Sequence, residues 1–268
     1  MKKKAYLGLV SILCCICMTC ICVSATEGTV YNWYCVRNSN HLQPIADANM
    51  RFIEEYDGYY IDHAHGDGSE DKVLYLTFDA GYENGNVDKI LNILSEEQVP
   101  GAFFILGNLI NRNPDLIRRM VQDGHTVCNH TNHHPDMTTK KTLDDFKEEL
   151  ISLEELYRQA TGMELAKYYR PPEGKFDKTS LKYAQQLGYQ TIFWSLAYAD
   201  WDNSKQPSPE SAKKKILDNI HNGAVILLHP TSATNAIILK EVIQTLKGQG
   251  YRFGTLDELT GKNTIQQS

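Results

Sequence analysis

The sequence places isolated polar residues directly after apolar, strand-like runs. In VLYLTFDAGYENG, Asp79 follows six apolar, aromatic or β-branched residues and precedes a glycine-rich turn. His229 ends a second such run, AVILLH, and Arg170 ends KYYR just before two prolines. A carboxylate and an imidazole are groups that general acid–base catalysis uses, and a guanidinium can hold a carboxylate in place. Each also has an ordinary structural use, such as a turn aspartate or a core histidine. Their relative positions in the fold must therefore decide between a catalytic and a structural role.

Two histidines in CNHTNHH have a spacing that suits a metal ion. His130 and His134 are four residues apart, which would put both imidazoles on one side of a helical turn. A polar, histidine-rich loop is the alternative, and spacing alone does not separate the two. His63 and His65 also lie close together, but their surroundings, DHAHGDG, favour an ordinary solvated loop. The sequence thus predicts one candidate site for a divalent metal.

The elements that must position these groups alternate along the chain from residue 73. The predicted strands are Val73–Phe78, Gly101–Leu106, Thr126–Asn129, Lys167–Arg170, Thr191–Ala197, Ala224–His229 and Tyr251–Leu256. The predicted helices are Val87–Gln98, Pro114–Asp123, Leu143–Ala160, Ser180–Leu187, Pro209–His221 and Asn235–Lys247. This alternation predicts parallel β/α units, arranged as a barrel or as an open sheet. Because the carboxyl ends of parallel strands share one face, we expect the polar residues at those ends to meet. They are Asp79, His130, Arg170, Asp200 and His229.

The first 25 residues are predicted to be a signal peptide. Three lysines at positions 2–4 precede an uncharged, mostly apolar run, and Val23-Ser24-Ala25 is a small-residue cleavage pattern. The run also approaches the length of a membrane anchor, so a secreted and an anchored protein both remain open. In either case residues 26–268 would lie outside the cytoplasm.

Composition excludes several classes of function. Without the three N-terminal lysines, 24 basic residues face 33 acidic ones, a net charge of −9, which argues against a nucleic-acid partner. Five of the seven cysteines lie in the first 25 residues, and Cys35 and Cys128 alone make neither a disulfide framework nor a zinc finger. Residues 26–70 are predicted as an N-terminal extension, 71–262 as a catalytic domain and 263–268 as a tail.

Five short motifs resemble, in order, those of the polysaccharide deacetylases of the NodB-homology type, carbohydrate esterase family 4. They are TFDAG, HTNHH, RPPEG, ADW and LLH, and the resemblance covers about residues 71–260. Further segments, YNWY, EEYDGYY, FDAGYENG and FWSLAYADW, are similar to the peptidoglycan N-acetylmuramic acid deacetylases, the delta-lactam-biosynthetic subgroup. The resemblance implies an α/β fold, a distorted (β/α) barrel of about seven parallel strands.

The resemblance also implies a role for each motif residue. Asp79 would be the general base, positioned by Arg170, and His229 would be the general acid, tuned by Asp200. His130 would be one ligand of a divalent metal such as zinc, and His134 the other. The side chains expected to contact the substrate are Tyr82, Pro172 and Trp201.

Ala80 departs from the family pattern. Most members have aspartate there as a third metal ligand, and the muramic subgroup often has asparagine. Ala197 also departs, since many members have aspartate at that place. With only two histidines, a metal would complete its shell with water or with Asp79, and we expect it to bind weakly.

The activity implied by the resemblance is metal-assisted removal of the acetyl group from N-acetylmuramic acid in peptidoglycan, leading to muramic delta-lactam in the spore cortex. The expected partners are peptidoglycan glycan strands, with the protein a monomer in the cell wall or spore envelope. It would touch a membrane only through an uncleaved N-terminal segment. One alternative is an N-acetylglucosamine deacetylase acting on peptidoglycan or chitin-like chains. Another is a wall-binding pseudoenzyme in which Ala80 marks lost catalysis.

Overall fold

The computed structural model of the protein describes residues 28–36 and 40–262. The predicted signal peptide or anchor, residues 1–25, and the predicted tail, residues 263–268, lie outside this range. Within it, the chain forms no helix whose length and hydropathy would let it cross a membrane. The predicted domain boundaries stay predictions.

A curled parallel sheet forms the centre of the described residues. The strands are β1 (Tyr31–Asn32), β2 (Gly58–Tyr59), β3 (Lys72–Ala80), β4 (Ala102–Ile105), β5 (Thr126–Asn129), β6 (Ala166–Tyr169), β7 (Lys175–Phe176), β8 (Gln190–Ile192), β9 (Leu196–Ala197), β10 (Ala224–Leu228) and β11 (Tyr251–Phe253). The main sheet has the order β2-β8-β6-β5-β4-β3-β10-β9, and β11 pairs with the start of β3. The two short strands β1 and β7 pair separately and antiparallel.

Helices cover the outer face of this sheet. They are α1 (Val87–Glu96), α2 (Gly107–Arg112), α3 (Pro114–Gln122), α4 (Leu143–Thr161), α5 (Lys178–Gln186), α6 (Pro209–Asn219), α7 (Ala233–Gly248) and α8 (Leu256–Leu259). Single turns of 3-10 helix occur at Met137–Thr139 and Pro172–Gly174, and a longer one at Arg51–Tyr56. All six predicted helices are present, whereas α2 and α8 are too short to give a periodic pattern in the sequence.

The single strand predicted at 191–197 is wrong, because this run forms two strands. β8 pairs with β2 and β6, whereas β9 pairs with β10 at the other end of the sheet. Only three residues, 193–195, separate them, so the sheet must curl until its ends nearly meet. The predicted α/β barrel-like fold is confirmed. The observed strand count exceeds seven because of this split and because the extension contributes β2.

The alternation of side chains along β3 shows how the sheet positions polar groups. Its outer row, packed beneath the helices, comprises Leu74, Leu76, Phe78 and Ala80. Its inner row begins with Val73 and Tyr75 in the barrel interior. Period-two alternation then places Thr77 and Asp79 on the same inner side, at the carboxyl end of the strand. A carboxylate is thereby delivered to the mouth of the barrel.

The N-terminal extension packs on the side of the barrel that carries β8. Trp33 stacks on Phe193 with ring centroids 4.6 Å apart, and its indole Nε1 donates to the carbonyl of Trp194 at 2.8 Å. Phe176 and Ile53 belong to the same buried cluster. The extension therefore supports the segment between β8 and β9, which lies beside the mouth of the barrel.

Candidate active site

The predicted site residues lie together at the carboxyl ends of the strands. Asp79 is near the end of β3, His130 directly follows β5, and Arg170 directly follows β6. Asp200 lies in the loop after β9, and His229 directly follows β10. Two pairs form within this group, one around Asp79 and one around His229. The sequence prediction that these strand ends would converge is therefore correct.

Arg170 is the centre of the first pair. Its side chain is fully buried, and its Nη1 donates to Asp79 Oδ1 at 2.8 Å. Nη2 donates to Thr77 Oγ1 at 2.9 Å, and Nε donates to the carbonyl of Ile192 at 2.9 Å. The guanidinium also lies 4.1 Å from the ring centroid of Phe104. Because every nitrogen has a fixed partner, the fork is rigid and holds the Asp79 carboxylate in one orientation.

The electrostatic surroundings keep Asp79 ionised. Burial by itself raises the pKa of this carboxyl. The positive charge of Arg170 is the largest effect in the opposite direction, and the pKa of Asp79 lies below its usual range. Asp79 is thus an anionic proton acceptor at neutral pH.

His130 is a neutral imidazole with a fixed tautomer. Its Nδ1 lies 2.8 Å from the carbonyl oxygen of Arg170, which can only accept, so Nδ1 carries the proton. Burial lowers the pKa of His130 to about 4, despite the opposing charge of Asp79. The lone pair of Nε2 is therefore free, and it faces Asp79 Oδ2 at 3.6 Å.

His134 reaches the same place by a route that the sequence did not predict. Residues 130–134 form no helical turn, because Thr131 and His134 both have left-handed backbones, with φ of 73° and 59°. Thr131 Oγ1 accepts from the backbone N–H of His134 at 2.9 Å and closes this tight loop. The two imidazoles still come together, with ring centroids 5.0 Å apart. The predicted pairing is correct, but the predicted helical geometry is wrong.

The donor set around His130 fits a divalent cation in part. An unprotonated nitrogen and a carboxylate oxygen facing each other at 3.6 Å are two acceptors, a contact that a cation between them would satisfy. Two ligands about 2.1 Å from a tetrahedral ion stand roughly 3.4 Å apart, which is close to that separation. Yet within residues 28–36 and 40–262 no three His, Cys, Asp or Glu side chains form a group that could hold a metal. The fit is that of a site with two histidines and an incomplete shell.

Ala80 explains why this shell is incomplete. It is fully buried and belongs to the outer, helix-facing row of β3. Its methyl group offers no lone pair to an ion. Position 80 therefore fills space in the core and supplies no third ligand.

The second pair joins His229 and Asp200. His229 Nδ1 donates to Asp200 Oδ1 at 2.7 Å, and the backbone N–H of His229 donates to Asp200 Oδ2 at 2.8 Å. Burial lowers the pKa of His229, but the hydrogen bond and charge of Asp200, together with Asp79, raise it above its ordinary value overall. Asp200 is fully buried, whereas the His229 side chain keeps 23% of its surface exposed. His229 is thus an imidazole favoured in its protonated form and open to the mouth.

The predicted substrate-contacting residues differ in position. Trp201 is 62% exposed and its ring centroid lies 6.3 Å from that of His229, so it forms a wall beside this imidazole. Tyr82 is 44% exposed, and its hydroxyl accepts from Asn203 Nδ2 at 2.6 Å. Pro172 is buried in the turn after β6. Substrate contact by all three stays a prediction.

Sequence reasoning missed three polar residues of the site. Thr77 holds Arg170 from the inner row of β3, where period-two spacing from Asp79 could have indicated it. Asn235 Nδ2 donates to Asp200 Oδ2 at 2.6 Å, and the Tyr198 hydroxyl donates to Asn235 Oδ1. Neither of the last two has a local signal, because their partners lie on other elements.

The comparisons with known proteins agree with this geometry. A family model described as polysaccharide deacetylase matches residues 66–192. The peptidoglycan-N-acetylmuramic acid deacetylase PdaA of Bacillus subtilis is 42% identical over 229 residues, which are 85% of each chain. Its solved structure, described as a family 4 carbohydrate esterase, gives a TM-score of 0.82 at 39% identity and covers 88% of this chain and 99% of that one.

Two Bacillus anthracis structures extend the comparison. A family 4 carbohydrate esterase gives a TM-score of 0.72 at 35% identity, covering 89% of this chain and all of that one. A protein described as a pseudoenzyme of the same family gives 0.67 at 28% identity, covering 76% of this chain and 68% of that one. The overall sequence, the fold and the paired residues at the strand ends all indicate the same family. The chain belongs to the polysaccharide deacetylases of carbohydrate esterase family 4.

Proposed function

We propose that this protein removes the acetyl group from N-acetylmuramic acid in peptidoglycan by hydrolysis. The observation that carries the proposal is the geometry of two pairs at one mouth: buried Arg170 holds the Asp79 carboxylate, and buried Asp200 holds the His229 imidazole. In keeping with these contacts, the pKa of Asp79 is lowered and that of His229 is raised. Amide hydrolysis needs one group to take a proton and another to give one, and such a pair supplies both. The similarity to the muramic acid deacetylase of Bacillus subtilis supports the choice of sugar.

In this mechanism Asp79 is the general base. Its carboxylate accepts a proton from the attacking water on Oδ2, the oxygen that faces His130, while Arg170 holds Oδ1. The two-point fixation of the guanidinium by Thr77 and Ile192 prevents the base from rotating away. Fixing the acceptor in advance avoids the entropic cost of orienting it during the reaction.

His229 is the general acid of the same mechanism. The protonated imidazole gives a proton to the nitrogen of the leaving amine, since an amide nitrogen cannot leave as an anion. Asp200 holds Nδ1, so the proton transferred is the one on Nε2. Trp201 lies beside this ring and would form one wall of the substrate site.

His130 and His134 would hold a divalent metal ion, with water completing the shell. Such an ion would polarise the acetamide oxygen and lower the pKa of a bound water. That the ion is zinc or a similar divalent metal, and that it binds weakly and occupies the site only in part, belongs to the proposal as well.

We place the protein outside the cytoplasm, where its proposed substrate is. Delta-lactam formation would follow if the freed amine attacks the lactyl carboxyl of the same sugar, so that an amide bond forms and the carboxyl C–O bond breaks with release of water. That step requires a carboxyl not occupied by a peptide, so the proposed substrate for lactam formation is a stripped muramic acid residue.

The test is mass spectrometry of muropeptides after incubation with purified protein and zinc. The expected result is loss of acetyl from muramic acid residues, or the corresponding lactam. Loss of acetyl from glucosamine alone would replace the proposed substrate with N-acetylglucosamine. The same incubation with Asp79→Asn is the control for a contaminating deacetylase.

Ala80 favours a second candidate, a glycan-binding pseudoenzyme. In that case the parent protein would bind peptidoglycan without changing its mass, with or without added metal. The ordered contacts of Arg170 and Asp200 favour catalysis instead, because binding alone requires neither a base nor an acid held by a buried partner.

A further inference from the structure

Asn235 makes contacts that the proposed chemistry does not yet explain. It lies in the first turn of α7 and is completely buried. Its Nδ2 donates to Asp200 Oδ2 at 2.6 Å and to the backbone carbonyl of His229 at 3.0 Å. One amide group therefore binds both the carboxylate that orients the imidazole and the backbone that carries the imidazole.

The orientation of this amide is itself fixed. The hydroxyl of Tyr198 donates to Asn235 Oδ1, and Tyr198 is buried in the outer cluster. An amide turned by 180° would put Oδ1 against the Asp200 carboxylate and the His229 carbonyl, which can only accept, and both hydrogen bonds donated by Nδ2 would be lost. The contacts thus form a chain from Tyr198 through Asn235 and Asp200 to His229.

Capping of the helix does not account for these contacts. The N-cap of α7 is Ser232, whose side chain accepts from the backbone N–H of Asn235 at 3.1 Å. The Asn235 side chain caps nothing and is directed towards Asp200. Without it, Asp200 Oδ2 would keep only the backbone N–H of His229, and the carboxylate would be less restricted about its own axis.

We propose that Asn235, oriented by Tyr198, is a positioning residue for the general acid and acts through Asp200. The proposal rests on the proposed function, because it takes His229 to be the acid. Its effect should appear in the chemical step, since the acid works only as the amine leaves.

The decisive experiment is a double-mutant cycle. Asn235→Leu, which keeps the branched shape and the number of side-chain heavy atoms but removes the polar ones, should lower kcat by roughly 10- to 100-fold, the range found for outer-shell partners of active groups, and leave KM unchanged. In an Asp200→Ala background the same change should alter kcat by less than about twofold, because its target is gone. An equal loss in both backgrounds would overturn the proposal, as would an unchanged kcat in the parent.

A second measurement does not depend on turnover. The His229 Nδ1 proton, held in its hydrogen bond to Asp200, should give a downfield NMR signal that Asp200→Ala removes and thereby assigns. Asn235→Leu should shift or broaden this signal. Tyr198→Phe should cause a smaller shift or broadening of the same signal, because it removes only the hydroxyl that orients the Asn235 amide. An unchanged signal in both variants refutes the proposal. If the parent shows the signal but no deacetylation, the proposed function fails while the positioning contact is still tested.

The chain offers a matched control in Asn222. This asparagine is also buried, accepts from the backbone N–H of Val73 at 2.8 Å and donates to the carbonyl of Asp71 at 2.9 Å. It lies at the amino end of β3, away from the mouth. Asn222→Leu should lower the melting temperature but leave kcat and the His229 signal as in the parent. A matching change in that signal would mean that general destabilisation, and not positioning, produces the effect.

Discussion

At the scale of single residues, Asp79 and His229 illustrate how partners decide protonation. Both are largely buried, and burial alone would make both neutral. Arg170 reverses this for the carboxyl and Asp200 reverses it for the imidazole. Each charged group is therefore maintained by one opposite charge within hydrogen-bonding distance.

Replacing Asp79 by asparagine should remove the base while keeping the shape of its side chain. The amide oxygen can still accept from Arg170, but the group cannot take a proton from water. We expect the turnover of the folded protein to fall by about 100- to 10,000-fold, the usual contribution of a general base, and the melting temperature to fall as well, because buried Arg170 loses its opposite charge. Steady-state kinetics and a thermal melt measure both. Activity within a few-fold of the parent would show that another group is the base.

The two pKa shifts predict a broad plateau of activity against pH. Because the pKa of Asp79 is lowered, the base stays ionised below the ordinary aspartate value of about 3.9. Because the pKa of His229 is raised, the acid stays protonated above the ordinary histidine value of about 6.5. The alkaline limb of kcat/KM should thus lie above that value, and it should vanish from the residual activity of His229→Gln. An alkaline limb that His229→Gln retains would belong to a different group.

Ala80→Asp tests whether position 80 can serve as a metal ligand. A carboxylate introduced at this fully buried position should lower the melting temperature in the presence of a chelator, since it has no partner. If a carboxylate at this last residue of β3 reaches the histidine pair, added zinc should restore more stability in this variant than in the parent, because binding to the native state alone stabilises it. Differential scanning fluorimetry with and without zinc provides the comparison, and His134→Ala provides a control with one ligand fewer. An equal decrease in melting temperature with and without zinc would mean that the side chain of residue 80 does not face the metal site.

At the scale of elements, the packing of α2 on the loop after β5 controls the histidine pair. The first residue of α2, Gly107, donates its N–H to the carbonyl of Asn132 at 3.1 Å. A Cβ on Gly107 would lie 1.7 Å from Asn132 Oδ1 and 2.9 Å from its Cγ. The helix can approach the loop between His130 and His134 only because this side chain is absent.

Gly107→Ala should therefore displace that loop. We expect turnover to fall by on the order of 10- to 100-fold, since small misplacements of active groups have effects of that size. Kinetics and zinc affinity measure the change. The control is Gly248→Ala, at the end of α7, where a Cβ would meet nothing within 4 Å and should leave activity as in the parent. Unchanged zinc affinity in Gly107→Ala would show that the loop adapts.

At the scale of the whole molecule, the N-terminal extension and the barrel share one buried aromatic cluster. Trp33 joins them through its stacking on Phe193 and its hydrogen bond to Trp194. The carbonyl of Phe193 also accepts from Arg170 Nη2 at 3.2 Å. Support for the Asp79–Arg170 pair thus extends from the mouth of the barrel into the extension.

Trp33→Ala should lower the free energy of unfolding by about 3–5 kcal/mol, as expected for loss of a buried tryptophan. Turnover of the folded protein should also fall, because the segment around Phe193, which binds Arg170, loses the packing contact with Trp33. Urea denaturation and kinetics at low urea separate the two effects. Tyr34→Ala is the control, because this neighbouring side chain is 49% exposed. It should lower the free energy of unfolding by roughly 1 kcal/mol or less. A small effect of Trp33→Ala would mean that the extension is not part of the cooperative fold.

Much of the fold and of the site follows from local patterns. Alternating strand and helix patterns indicated the parallel sheet, and a parallel sheet puts its carboxyl strand ends on one face. Asp79, Arg170 and His229 were therefore predictable as neighbours, although they are far apart in sequence. His130 and His134 were predictable as a pair, because four residues of chain keep them close in either a helix or a tight loop.

Tertiary structure decided the features that depend on distant partners. The run 191–197 divides into β8 and β9 because its two halves pair with opposite ends of the curled sheet, which local periodicity does not encode. Asn235 meets Asp200 and Tyr198 across 35 and 37 residues of sequence, and no motif around Asn235 indicates either contact. The sequence by itself determined which groups do the proposed chemistry, because residue type and strand position are local properties. Only the folded chain determined how those groups are held and charged, because hydrogen-bond geometry and burial arise from contacts between elements.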